Sequence, residues 1–166
     1  TGITIDNVYT SFLIKTKEPM FTSTDGSTIR ILIDSDNIQN TGYYYPGLGA
    51  DHLVEIYGED TGTVSSAMIY TFDDTKDNGD WNGFYSLTNI KANSTGPRGL
   101  STALELQVAN FDLGIEARAG MKYLVCTTDS NGNRDVTNVI DLSGNEYLFE
   151  EAVSAGRQQA NSYQNG

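Results

Sequence analysis

Residues 29–57, IRILIDSDNIQNTGYYYPGLGADHLVEIY, contain two segments whose apolar side chains recur at every second position. A period of two is the spacing of a half-buried strand and does not fit the 3.6-residue turn of a helix. Ile29, Ile31 and Ile33 fall on one face of the first segment, with Arg30 and Leu32 on the other. In the second, Asp51, Leu53, Glu55 and Tyr57 oppose His52, Val54 and Ile56. About 16 residues separate the two, past the ~12–15 at which a connection is usually functional or disordered. They include Ser35-Asp36-Asn37, Asn40-Thr41-Gly42, three consecutive tyrosines and Pro46-Gly47, and read as one long polar loop.

The same alternation recurs along the chain. Residues 3–17, 63–72, 81–88, 101–109, 121–129 and 135–142 read as strands. Between them stand a turn at Asp25-Gly26, an acidic loop over 73–80, a Pro/Gly-rich loop over 92–99 and a capped helical turn over 110–114. Short strands separated by turn signals predict an all-β sandwich of the jelly-roll kind. A chain of 166 residues suits one domain, assigned to residues 1–145. Residues 146–166 change character: 150–155 can form a helical turn or two, and the rest is a polar tail.

The net charge is −12 and the sequence pI about 4.2. This balance argues against nucleic acid and against anionic membrane, since phosphate contacts need Lys and Arg. It favours bound cations and a high-salt or extracellular setting. Cys126 is the only cysteine, so no intrachain disulfide can form; it reads as a small buried hydrophobe, the alternative being an intermolecular bridge or a reactive thiol. No apolar run approaches membrane-spanning length, no membrane insertion is expected, and no signal peptide is visible. The Thr1-Gly2 start is expected of a processed mature form or an excised domain. Catalysis finds little support. His52 is the only histidine, it lies in a strand pattern, and no nucleophile-elbow or zinc-protease motif stands out.

The motifs Asp34-Ser-Asp36-Asn37, Asn40-Thr-Gly42-Tyr43 and Gly49-Ala-Asp51-His-Leu-Val-Glu-Ile56 carry a resemblance. The pattern resembles the "IDTDN…TGY…GADYLIEI" signature of extracellular β-sandwich modules from archaeal and bacterial surface proteins. These are similar in build to DOMON-type domains and xylanase-associated carbohydrate-binding modules. The resemblance spans about residues 29–135 and implies a sandwich fold and an extracellular setting. It does not choose among the sugar-binding, haem-binding, metal-binding and structural functions of such modules.

Three acidic groups can hold a hard cation such as Ca²⁺, which takes several oxygens from Asp, Asn and backbone carbonyls. The first is Asp34, Asp36, Asn37, Asn40 and Asp51; the second is Asp129, Asn131, Asn133 and Asp135. The second matches the front half of a D-x-[DN]-x-[DN] calcium loop, but Ile140 stands where the bidentate Glu belongs. Asn131-Gly132 is equally a hairpin turn. The third is Asp73, Asp74, Asp77, Asn78 and Asp80, whose carboxylates repel unless a cation or solvent separates them. The alternative for each is a solvated turn whose Asp and Asn cap their own backbone. Tyr43, Tyr44, Tyr45, Trp81 and Tyr85 offer rings that can stack on sugar faces, or else fill core. Asn93-Ser94-Thr95 is an N-glycosylation sequon, placed in a loop.

The expectation is a non-catalytic extracellular structural module, stabilised by Ca²⁺, whose partners are copies of itself in a surface layer or filament. The alternative is a carbohydrate-binding module that takes extracellular polysaccharide on its aromatic loop. Residues 3–14 have the alternation of a strand, which either pairs in its own sheet or is donated to a neighbour.

Overall fold

The alternating segments pair into two facing antiparallel sheets. The computed structural model describes residues 1–22, 27–59, 61–95, 100–114, 120–129 and 131–142. One sheet runs β1 (Gly2–Ile5), β2 (Tyr9–Lys15), β10 (Ala103–Ala109), β9 (Lys91–Thr95). The other runs β12 (Arg134–Val136), β11 (Lys122–Thr128), β3 (Thr28–Asp34), β6 (His52–Gly58), β7 (Val64–Phe72), β8 (Phe84–Asn89), with β13 (Ile140–Asp141) also pairing β11. β8 leads through Ile90 directly into β9, so the chain crosses from one sheet to the other there.

Phe12 and Ile14 of β2 and Leu104, Leu106 and Val108 of β10 pack into one core with Ile29, Ile31, Ile33, Val54, Ile56, Ile69, Tyr123 and Val125 of the larger sheet. The rings of Phe12 and Tyr123 meet edge to face at 5.4 Å. The fold is therefore an all-β sandwich, and no helix among the described residues is long and apolar enough to cross a membrane.

Residues 92–95, expected in a loop, belong to β9, and the strand expected over 135–142 divides into β12 and β13. Three further segments depart from the sequence expectation. Residues 3–17 are two strands, because the Asp6 carboxylate accepts hydrogen bonds from the amides of Val8 and Tyr9, both at 2.7 Å, and reverses the chain. Residues 3–14 lie within their own sheet, with β2 between β1 and β10. The strand expected over 81–88 opens instead with a 3₁₀ turn, Trp81–Gly83, capped by Asp80.

The third departure matters most for function. The long polar loop contains a hairpin, β4 (Tyr43–Tyr45) paired with β5 (Leu48–Ala50). Its turn is Pro46-Gly47, and Gly47 supplies the positive φ of 85° that such a turn requires after proline. The hairpin covers the face of the larger sheet turned away from the sandwich. Leu48 and Ala50 join Leu32, Leu53 and Leu124 there in a second buried cluster, flanked by Tyr43, Tyr45, Tyr70, Phe84, Cys126 and Val139. β3 is thus covered on both faces. The turn at Asp25-Gly26, residues 96–99 of the Pro/Gly-rich loop and the tail 146–166 with its helical turn lie outside the described residues.

Candidate metal centre

β3 and β6 are paired up to Ile33 and His52, and one rung further Asp34 stands opposite Asp51. Like charges directly opposite each other in a ladder repel. Alternation places both carboxylates on the side of Leu32 and Leu53, the face the hairpin covers. Asp36, two residues into the connection, completes the group. One carboxylate oxygen from each of Asp34, Asp36 and Asp51 lies within 4.8 Å of the others.

The three differ in their surroundings. Asp34 is fully buried. Its Oδ2 accepts a long bond, 3.4 Å, from the Gly49 amide of β5, the Asn37 amide also acts on the carboxylate, and its Oδ1 is buried with no hydrogen-bond partner. Asp51 is half-buried, and its Oδ2 accepts from the Ser35 amide at 2.7 Å, the Ser35 hydroxyl at 2.9 Å and the Asp36 amide at 3.4 Å. Asp36 is exposed, and its Oδ1 accepts from the Ile38 amide at 2.8 Å. Burial is the main force raising the Asp34 carboxyl pKa. The negative charges of Asp51 and Asp36 add to it, and the amides of Gly49 and Asn37 offset part of it. Burial also raises Asp51, with Asp36 adding and the Ser35 bonds opposing.

A buried carboxylate oxygen without a donor is costly. Two further carboxylates beside it raise that cost, and a cation removes it. The ligand set is all oxygen and partly buried, with Asp34 at the end of β3 and Asp36 and Asp51 in the connection that follows, which suits Ca²⁺ better than a thiolate- or imidazole-seeking metal. Asn37 and Asn40 are exposed on the same loop, Asn37 with a positive φ of 60° that asparagine tolerates.

The other acidic groups are arranged differently. Asp73 accepts from Thr75, Asp77 from Gly79 and Asp80 from Asn82, each two residues on. Asp74 reaches across to the Gly42 amide at 2.9 Å, and the Asn78 carbonyl accepts from Tyr44, which ties the 73–80 loop to the hairpin. Asp129 accepts from the amides of Asn131 and Asn133 and from the Asn133 side chain, closing the turn between β11 and β12, while Asp135 stands exposed in β12. The bonds from Thr75 and Asn133 hold the Asp73 and Asp129 carboxyls below their usual range. Among the described residues, only Asp34, Asp36 and Asp51 converge as a cluster with ligand-like spacing.

The aromatic candidates split. Tyr43 packs edge to face against Trp81 at 5.2 Å, and Phe72 and Phe84 join them. Arg30, paired with Glu55 at 2.7 Å, lies over the Trp81 ring at 5.8 Å. Tyr45 flanks the second core, whereas Tyr44 and Tyr85 are exposed. Asn93 lies in edge strand β9, not in a loop. His52 is buried. The Leu113 carbonyl can only accept, so Nε2–H donates to it at 3.0 Å and Nδ1 accepts from the Thr71 hydroxyl at 3.2 Å. Nε2 holds the 110–114 turn onto β6, and Nδ1 ties β6 to Thr71 of β7.

Ser35 and Gly49 are the site residues that the sequence reading passed over. Ser35 lies between two of the aspartates, and Gly49 is a glycine in an acidic loop where the backbone approaches the carbonyls of Thr41 and Ile38 too closely for a side chain. Compared with known proteins, the chain matches no family model, no curated protein and no solved structure.

Proposed function

We propose that this protein is a non-catalytic structural module held together by Ca²⁺ at Asp34, Asp36 and Asp51, and that it works outside the cell as a subunit of a surface layer or filament. The partnerless Oδ1 of fully buried Asp34, beside two further carboxylates, is the observation that carries the reading. A cation shared by the three carboxylates would offset the cost of that burial. Edge strands β1 and β9 have unpaired outer edges in the described residues, and Phe111, 93 % exposed, projects from the 110–114 turn near exposed Val8 and Tyr9. These features give copies of the chain somewhere to meet. The acidic composition and the sequon in β9 support an extracellular setting.

The competing carbohydrate reading draws on one observation, the exposed rings of Tyr44, Trp81 and Tyr85. Titration calorimetry with Ca²⁺, followed by electron microscopy of the purified protein with and without the ion, tests the proposal. Ca²⁺ binding together with regular polymers supports it. Heatless titration removes the ion, and monomers that are retained on a polysaccharide column return the module to sugar binding.

A further inference from the structure

The hairpin β4–β5 rests on the cation site as a flap does on its latch. It leaves the larger sheet just after Asp34 and rejoins it just after Asp51, so the opposed carboxylates stand where the excursion begins and ends. The flap also does the burying. Gly49 of β5 reaches Asp34, and Leu48 and Ala50 seal the face on which Asp34, Leu32 and Leu53 lie. Lowering the flap therefore strips water from a carboxylate whose Oδ1 finds no donor in return.

Besides the packing of Tyr43 on Phe72, Trp81 and Phe84, which favours closure, the flap's other attachments are polar and lie in exposed chain. On its far side it is tied by Gly42 N–H to Asp74 and by Tyr44 N–H to the carbonyl of Asn78, and residues 74–79 of that loop are all exposed. At its near side Ser35 and Asp36 donate to Asp51, which orders the base of the excursion but does nothing for Asp34. The apolar contacts of Leu48 and Ala50 favour closure, and the buried carboxylate beside a second one opposes it. A hard cation on the three carboxylates removes the opposing force and leaves the apolar one.

We infer that Ca²⁺ binding at Asp34, Asp36 and Asp51 controls whether the β4–β5 hairpin is closed over the second apolar cluster, so that removing the ion exposes Leu32, Leu53 and Leu124. The inference rests on the proposed metal centre and adds a conformational consequence to it. Linkage then makes the effect reciprocal: a closed flap strengthens ion binding, and bound ion strengthens closure.

Amide hydrogen exchange of the full chain at neutral pH, in Ca²⁺ and in chelator, tests this beside calorimetry on the same sample. On chelation, the amides of Tyr43, Tyr45, Leu48 and Ala50 should exchange at least ~10-fold faster, while those of β2, β10 and β11 keep their rates. Asp34→Asn, which removes the buried charge and keeps its shape, should keep the hairpin amides slow in chelator and make them insensitive to Ca²⁺. Measurable Ca²⁺ binding with hairpin exchange unchanged overturns the flap and leaves the metal centre standing. Exchange that accelerates equally in every strand also overturns it, since that is global loosening. An absence of Ca²⁺ binding overturns both.

Discussion

Replacing Asp34 with asparagine retains the shape of the side chain, removes its charge, and supplies an amide that can donate to Asp51 or Asp36. In the parent the Asp34 and Asp51 oxygens lie within 4.8 Å. At an effective dielectric of about 20, two unit charges at that distance repel by about 3.5 kcal/mol. Because 4.8 Å is the largest separation, a closer approach raises that figure, while the Ser35 bonds to Asp51 and partial proton uptake lower it. In chelator at pH 7 the variant should therefore be more stable than the parent, by about 1–3 kcal/mol. In Ca²⁺ at 100 times its dissociation constant the parent gains about 2.7 kcal/mol and the variant gains none, so the advantage shrinks or reverses. The sign with pH follows from the raised Asp34 and Asp51 values. Their protonated forms favour the fold, so that contribution is complete below the unfolded value near 3.8 and is lost as pH rises through the folded values. The variant's advantage in chelator should accordingly fade toward pH 4. Urea unfolding of both proteins, with and without Ca²⁺, reads all of this. A variant less stable than the parent in chelator, or one with the parent's full Ca²⁺ response, would refute the reasoning.

Two further perturbations follow from the same geometry. Burial lowers the His52 pKa, with Leu113, Tyr70 and Asp112 opposing, so its contribution is present above the unfolded value near 6.5 and is lost as pH falls below it; His52→Gln should flatten the urea midpoint between pH 7 and 5, and an unchanged slope would count against a buried neutral imidazole. Gly42→Ala forces a side chain onto a φ of 68° and into the Ala50 carbonyl, so chemical denaturation should show a loss of about 1–3 kcal/mol or more, and a neutral result would mean that the hairpin's entry is not as tightly packed as described.

Much of the sandwich is legible in the sequence because its core strands have a simple signal. Ile29, Ile31 and Ile33, and Leu104, Leu106 and Val108, keep a strict period of two, and each set is buried on the face that period assigns. The hairpin escapes this reading because Tyr43-Tyr44-Tyr45 has no polar–apolar alternation, although its middle ring is exposed and the outer two turn inward. The period is present in which side chains are buried, but one residue type occupies every position. A second signal was available in β3 itself. Leu32 lies on the face opposite Ile31 and Ile33, and Leu53 does the same in β6, so both strands carry apolar residues on the face a one-core reading leaves to solvent. Something had to cover them, and most of the connection's apolar residues, Ile38 apart, are those of the hairpin. The turn at Asp6 was missed for a smaller reason, since Asp-Asn between two strand-like runs can equally sit within one strand.

Carboxylate-rich stretches announce themselves by composition, yet composition does not separate a cation site from a turn, and here the difference lies in what each backbone is doing. Asp73, Asp77, Asp80 and Asp129 sit in loops, where the amide two residues on is free, and each accepts from it. Such an aspartate is already satisfied by its own chain. Asp34 is less well served: the Gly49 and Asn37 amides act on the carboxylate, but Oδ1 has no donor. It ends a strand whose backbone is committed to neighbours on both sides, and its side chain points onto a face that the hairpin closes. Asp51 starts the partner strand and has its donors supplied by Ser35 and Asp36 across the rung. Asp36 joins the two patterns, capping Ile38 with Oδ1 while standing close enough to complete the cluster. Charge density is therefore the weaker signal in this chain. The stronger one is an aspartate at a strand end, in phase with the buried leucine two residues before it and opposite another aspartate at the start of the next strand, because the committed backbone there leaves its Oδ1 without a donor.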